Sequence, residues 1–240
     1  MKKIAWLLAA MTLFALSCSK PGQNDKKEDK KQDETEAPIT IDGDFTDWAD
    51  LKGAVSARNS SESLWEAVKE LRVYAQGDYV YYYIRFDKET MKEFFEANDT
   101  FPARVNLNTD GEFSSGYQNY FLQGYDFIIE MSLGNGAGCW ATAENGTLCQ
   151  RINDGWSELL GENSGLTIGK GNGYEYELML DRTIFNDAVA KSAVPMPMED
   201  TFQTSMRFYE TSSSGKWEEL SNMPNADGGY GNLLEVTFSK

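Results

Sequence analysis

The stretch Leu71–Asp87, LRVYAQGDYVYYYIRFD, decides the fold class. Two runs of alternating apolar residues flank Gly77-Asp78, a pair typical of a tight turn between antiparallel strands. The pattern predicts a β-hairpin with one buried face and one half-exposed, tyrosine-rich face. In the second strand the predicted buried residues are Val80, Tyr82, Ile84 and Phe86, and the opposite face carries Tyr79, Tyr81, Tyr83 and Arg85.

Similar strand patterns continue on both sides of this hairpin. Strands are predicted at 39–42, 104–108, 125–133, 174–180, 202–210, 216–220 and 233–239. Two short amphipathic segments, one at 87–98 and one beginning at Asp181, predict helices. Many short strands without a βαβ alternation predict an all-β fold, an antiparallel β-sandwich with one or two short helices.

The N-terminus carries the pattern of an export signal. Lys2 and Lys3 precede a short apolar run, so residues 1–17 predict a signal peptide. The residues ALSC at 15–18 resemble the lipobox of bacterial lipoproteins, in which the cysteine, here Cys18, is acylated; the alternative is an ordinary secretory signal. Residues 18–37 lack large apolar side chains and predict a disordered tether. We therefore expect a single folded domain, 38–240, lipid-anchored to the outer membrane and surface-exposed or facing the periplasm.

Composition excludes several functions. The chain has no histidine, which rules out Ser-His-Asp and Cys-His nucleophiles and HExxH zinc sites. A net charge of −16 argues against nucleic acid as a partner. Phosphate-cradling glycine motifs are missing, and the many carboxylates give no way to select a catalytic pair. The sequence therefore predicts a protein that is not an enzyme.

The cysteines fit an oxidising compartment. With Cys18 acylated, Cys139 and Cys149 remain as an even pair, which predicts a disulfide. However, Asn145-Gly146 is a strong two-residue hairpin turn, and that register places Cys149 opposite Thr142. The alternatives are a longer loop with a disulfide, or two free thiols.

Three stretches resemble a known family when they are taken in order with the central hairpin. They are ITIDGDFTDW at 39–48, NLNTDGEFSSGY at 106–117, and YEYELML at 174–180 before a short helix; the chain then closes with YGNLL at 230–234. Together they are similar to family 9 carbohydrate-binding modules and their DOMON-like relatives, over residues 39–240. Within the first stretch, Asp42 and Trp48 suit a turn and a buried indole, with Asp42 and Asp47 as ion ligands the alternative interpretation.

The resemblance implies a noncatalytic β-sandwich that binds sugars. The well-described sugar binders of the family clamp a terminal sugar between two tryptophans. This sequence departs at both positions, because Phe101 is the aromatic residue nearest the first and Met223-Pro224 occupies the second. The fold is implied directly, whereas a sugar site would need other aromatic residues.

Other aromatic residues provide candidate sugar platforms. Trp140 and Trp156 lie in a glycine-rich stretch, and Trp217 lies near the C-terminal strands. Tyr81, Tyr83 and Arg85 on the tyrosine face are a second option. Packing against the core or in turns is the alternative for each of them.

The segment Asn106-x-Asn108-x-Asp110-Gly111-Glu112 resembles a calcium loop, since alternate side-chain oxygens can converge on a hard cation. Asp126 is a further ligand candidate. A strand that ends in an Asp-Gly turn gives the same letters, and Tyr117 stands where an EF-hand has its bidentate glutamate. Structural calcium is thus one of two interpretations of this loop.

From these observations we expect a cell-envelope lipoprotein whose β-sandwich binds a glycan or polysaccharide. The alternative is a structural or interaction module with the same fold and no sugar site, acting with a protein partner in an outer-membrane complex.

Overall fold

The hairpin 71–87 lies at the centre of one sheet in the computed structural model of the protein. Its turn is at Gly77-Asp78 and its second strand begins at Tyr79, as the sequence predicts. The structure describes residues 38–58, 67–118, 123–135, 147–152, 155–159, 164–192, 194–224 and 233–239. All of them belong to one unit, Ala37–Lys240.

The described elements are fourteen strands, two α-helices and one 3-10 helix, Phe45–Trp48. The helices are α1 (Lys88–Ala97) and α2 (Arg182–Val189). The strands are β1 (Val55–Arg58), β2 (Val68–Gln76), β3 (Tyr79–Phe86), β4 (Thr100–Asn108), β5 (Tyr117–Gln118), β6 (Gln123–Tyr125), β7 (Phe127–Gly134), β8 (Thr147–Ile152), β9 (Gly155–Leu159), β10 (Leu166–Gly171), β11 (Glu175–Asp181), β12 (Thr201–Thr211), β13 (Trp217–Met223) and β14 (Leu234–Thr237).

The strands form two antiparallel sheets that pack face to face. The five-stranded sheet has the order β1-β2-β3-β11-β10. The seven-stranded sheet has the order β13-β12-β4-β7-β8-β9, with β14 also paired to β12. A small third sheet pairs β5 with β6. The prediction of an all-β antiparallel sandwich with two short helices is confirmed.

The core is formed by the inner faces of the two sheets. Phe86 from the five-stranded sheet meets Phe101 and Phe208 from the other sheet, with ring centres 5.6 and 5.1 Å apart. Each such buried phenylalanine stabilises the fold by about 2–3 kcal/mol through apolar burial. Tyr82 places its hydroxyl 3.1 Å from that of Thr204, which satisfies the polar atoms of both residues inside the sandwich.

An aspartate immediately precedes and caps each helix, so the helices predicted at 87–98 and from Asp181 are confirmed, each starting one residue later. Asp87 accepts a hydrogen bond from the backbone N–H of Thr90, and Asp181 accepts one from that of Ile184. These caps satisfy donors in the first helical turn, which have no partner within the helix. Neither of these helices, nor any other within the described ranges, is long and apolar enough to cross a membrane.

The segment 38–54 covers the tyrosine face of the five-stranded sheet. Residues 39–42, predicted as a strand, form no strand; instead Ile39 and Trp48 are buried against Tyr74, Tyr81 and Tyr83. The Trp48 and Tyr83 rings stack with centres 5.6 Å apart. The strand prediction was wrong because alternation alone does not distinguish a strand from an extended segment packed across a sheet. We call residues 38–54 the covering segment.

A buried carboxylate on β11 holds the covering segment in place. Glu177 accepts hydrogen bonds from the backbone N–H groups of Asp42 and Gly43 at 2.8 and 2.6 Å, and from the indole N–H of Trp48 at 3.4 Å. Arg72 donates to the carbonyl of Trp48 and lies over its ring. The structural interpretation of the IDGDFTDW stretch is therefore confirmed.

Candidate functional site

The outer face of the seven-stranded sheet is polar at its centre. Along β4, alternate residues from Phe101 to Leu107 enter the core, which leaves Arg104, Asn106 and Asn108 on the outer face. Asn106 donates through Nδ2 to the Ser205 hydroxyl of β12 at 2.9 Å. Polar residues on an outer face normally contact water, yet Asn106 is fully buried. The centre of this face is therefore shielded from solvent, unlike an ordinary outer sheet surface.

Four side chains form a row across four neighbouring strands. In register they are Glu130 of β7, Arg104 of β4, Arg207 of β12 and Asn222 of β13. We call them the charged row. Like charges on directly opposed positions are unfavourable, so the two guanidinium groups need nearby carboxylates. Glu130 accepts from Nε and Nη2 of Arg104 at 2.9 and 2.6 Å, and Glu219 lies 3.4 Å from Nη1 of Arg207.

Two aromatic rings lie beside this row. The Arg104 guanidinium lies 4.9 Å from the ring centre of Tyr209 and 5.0 Å from that of Trp217. Burial opposes the charge of Arg104, but Tyr209 and Glu130 outweigh it and raise the pKa of this residue above its ordinary value. Trp217 keeps 38% of its surface exposed. An indole fixed by a cation and still open to solvent can pack against an apolar ligand face.

Three buried polar atoms on this face have no hydrogen-bond partner in the described part of the chain. They are two acceptors, Oδ1 of Asn106 and Oδ1 of Asn108, and one donor, Nε of Arg207. The strand register makes Asn106 and Arg207 diagonal neighbours, because Asn106 pairs with Ser205 and Arg104 pairs with Arg207. An unpaired buried polar atom costs about 1–3 kcal/mol, so such atoms are rare and call for an explanation. Two acceptors and one donor without partners match the hydroxyl groups of a polar ligand.

An apolar cluster borders these atoms. Ile128, which faces Asn106 across the strand pair, packs with Tyr125 and Leu233. The site thus combines charged, amide, aromatic and aliphatic groups on one face of one sheet.

Several predicted ligand-binding residues lie elsewhere. Phe101 is fully buried in the core, because its position on β4 points inward, so it offers no surface to a sugar. Tyr81 and Tyr83 are buried beneath the covering segment, and Arg85 on the same face is paired with Glu70 at 3.2 Å. These three residues form no open platform, which corrects the interpretation of that face as half-exposed.

The remaining predictions fall largely outside the described residues. Cys18, Cys139 and Trp140 lie outside them, so lipidation stays a prediction. Cys149 and Trp156 are described as backbone of β8 and β9, where Cys149 pairs with Ile128 and Leu159. The disulfide and the contacts of the Trp156 ring therefore stay predictions.

The predicted calcium loop is brought together only in part. Asp110 and Asp126 both lie within 3.2 Å of the Ser115 hydroxyl, whereas Asn106 bonds to Ser205 and Glu112 is exposed. Asp126 also accepts from the backbone N–H of Thr109 at 3.0 Å, and Asp110 from that of Glu112 at 2.8 Å. Within the described ranges, no three His, Cys, Asp or Glu side chains are placed to hold a metal. Hydrogen bonds within the protein hold the closed loop, and calcium binding stays a prediction.

Sequence reasoning found Trp217 and Asn106 but missed their neighbours. Arg104, Arg207 and Tyr209 alternate with core residues on β4 and β12, a signal that indicates an outer face and nothing more. Only the strand register, which joins positions about a hundred residues apart, brings them together with Glu130.

Fold and site together define a β-sandwich with a polar, aromatic-edged surface on one sheet. No model of a known protein family matches the chain, and no curated protein matches it.

Proposed function

We propose that this protein is a noncatalytic carbohydrate-binding lipoprotein of the cell envelope, which binds a glycan on the outer face of its seven-stranded sheet. The observation that carries the proposal is the exposed ring of Trp217 on the same sheet face as three buried atoms that have no hydrogen-bond partner in the described residues. These atoms are Oδ1 of Asn106, Oδ1 of Asn108 and Nε of Arg207. Sugar hydroxyls both donate and accept hydrogen bonds, so a glycan can supply partners for acceptors and donors of this kind. The apolar face of a pyranose ring can pack on the indole.

Charge balance favours a neutral sugar at this face. The two arginines of the charged row are matched by Glu130 and Glu219. Because each guanidinium has a carboxylate nearby, the row offers directed hydrogen bonds more than a net charge. The overall charge of −16 likewise disfavours an anionic ligand there.

The test is a polysaccharide and oligosaccharide array with the purified protein and two matched variants. Trp217→Ala removes the exposed ring next to the charged row. Tyr79→Ala removes a ring with the same 38% exposure on the other sheet. We expect binding to one class of glycan by the wild type and by Tyr79→Ala, and its loss in Trp217→Ala with an unchanged melting temperature.

Two results would count against the proposal. Equal binding by Trp217→Ala would place the glycan elsewhere. An array without any specific signal from well-folded protein would favour the alternative, an interaction module that binds a protein partner of the outer membrane.

A further inference from the structure

A cleft of about 370 Å³ lies beside helix α1, and none of its lining residues belongs to the charged row. One wall is the helix, and the opposite wall includes the turn between β10 and β11. The volume falls at the lower end of the range for small-molecule sites. The lining side chains that matter below are Lys88, Lys92, Phe95, Glu96, Asn172 and Tyr174.

The helix wall carries positive charge. Lys88 and Lys92 are four residues apart, so they lie on the same face of α1. The Lys88 ammonium lies 5.2 Å from the ring centre of Tyr174 on the other wall. Within the described ranges neither lysine forms a salt bridge, and Glu96 is the one carboxylate among the lining residues. Among the lining side chains, positive charges therefore outnumber negative ones in a strongly acidic protein.

The opposite wall is held rigidly. Asn172 accepts through Oδ1 from the backbone N–H groups of Tyr174 and Glu175 at 3.1 and 2.8 Å. Its Nδ2 donates to the Glu175 carboxylate, which also accepts a hydrogen bond from Tyr83 at 2.6 Å. Gly173 has a φ of 92°, a conformation that suits glycine and keeps this part of the wall free of a side chain. A wall fixed before binding loses little conformational entropy when a ligand enters.

We propose that this cleft binds a hexuronic acid, a sugar unit that carries one carboxylate. The two ammonium groups would pair with the carboxylate, and the edges of Phe95 and Tyr174 would contact the apolar part of the sugar ring. Because the protein as a whole is strongly acidic, a small carboxylate binds most favourably where lysines cluster. This site is separate from the outer-face site and does not depend on it.

The experiment is a calorimetric titration of the purified protein with glucuronate and galacturonate, with glucose as the neutral control. We expect saturable, salt-sensitive binding of a hexuronate and none of glucose at the same concentration. Lys88→Gln and Lys92→Gln should each weaken binding about fivefold, the factor that corresponds to one partly exposed ion pair. Lys191→Gln, an exposed lysine outside the cleft, should leave the affinity unchanged.

Trp217→Ala separates this proposal from the preceding one. Unchanged hexuronate affinity in that variant supports a second site, whereas loss of hexuronate binding would assign the anion to the outer face and overturn the inference. Equal affinity for glucose, no saturation at millimolar hexuronate, or unchanged affinity in the Lys88→Gln, Lys92→Gln double variant would overturn it as well.

Discussion

The attachment of the covering segment by Glu177 gives a sharp stability prediction. The carboxylate of Glu177 accepts three hydrogen bonds, from two backbone N–H groups and the Trp48 indole, and it is fully buried. In Glu177→Gln the amide oxygen can still accept a hydrogen bond. The amide NH2 group, however, faces an N–H group, and two donors cannot form a hydrogen bond with each other. One charge-assisted hydrogen bond is lost and one buried donor is left unpaired, which together cost about 3 kcal/mol.

An opposing effect reduces this value. Burial raises the pKa of Glu177 despite the hydrogen bonds from Gly43, Asp42 and Trp48, so the charged carboxylate itself is costly at this position. Removing the charge recovers part of that cost. We therefore expect Glu177→Gln to lower the free energy of unfolding by about 2 kcal/mol.

Urea denaturation at neutral pH measures the change, with Glu218→Gln as the control because Glu218 is an exposed strand residue. Trp48→Phe removes the indole N–H, so a double-mutant cycle isolates its bond to Glu177. We expect a coupling energy of about 1 kcal/mol. A Glu177→Gln variant as stable as the Glu218→Gln control, or strictly additive single changes, would refute this account of the attachment.

Two further predictions concern pH and backbone geometry. Burial raises the pKa of Asp126 to about 6, with Asp110 adding to the rise and Thr109 opposing it. The native state therefore takes up a proton well above the unfolded pKa of 3.8, so Asp126 makes the protein more stable by about 2 kcal/mol as the pH falls from 7 to about 4.5. In chelator-containing buffer, the stability difference between wild type and Asp126→Asn should change by that amount over this range, and a constant difference would contradict it. Gly165→Ala places a methyl group 2.4 Å from the Asp181 carbonyl at a φ of +83°, whereas Gly215→Ala, at a φ of +76°, meets no atom within 4 Å. The first should be the more destabilising in thermal denaturation, since the second has only the backbone strain of about 1–2 kcal/mol, and equal melting temperatures would contradict the close approach.

The sequence predicts the parts of the fold that depend on local patterns. The central hairpin and both short helices follow from alternation, turn residues and amphipathic spacing at neighbouring positions. The buried indole of Trp48 also follows, because a large aromatic residue in a short polar stretch has few other roles.

The parts that depend on long-range packing could not be predicted in this way. Tyr81 and Tyr83 are on the face that alternation gives them, but the pattern does not reveal that the covering segment lies over them. Likewise, Arg104 and Arg207 read as separate surface residues until the register of β4 and β12 places them side by side. The candidate site is thus a property of the sheet and not of any one motif.

Glycan binding on the outer face is tested most directly by side-chain N–H resonances during a glycan titration. The Trp217 indole, the Arg207 Nε–H and the Asn106 amide report on the site, and the Trp48 indole, buried on the other sheet, is the internal reference. We predict that an array-selected glycan shifts the three outer-face signals together, with one saturation curve, while the Trp48 signal stays in place. Unmoved outer-face signals at saturation, or shifts confined to other residues, would contradict the assignment of this face as the sugar site.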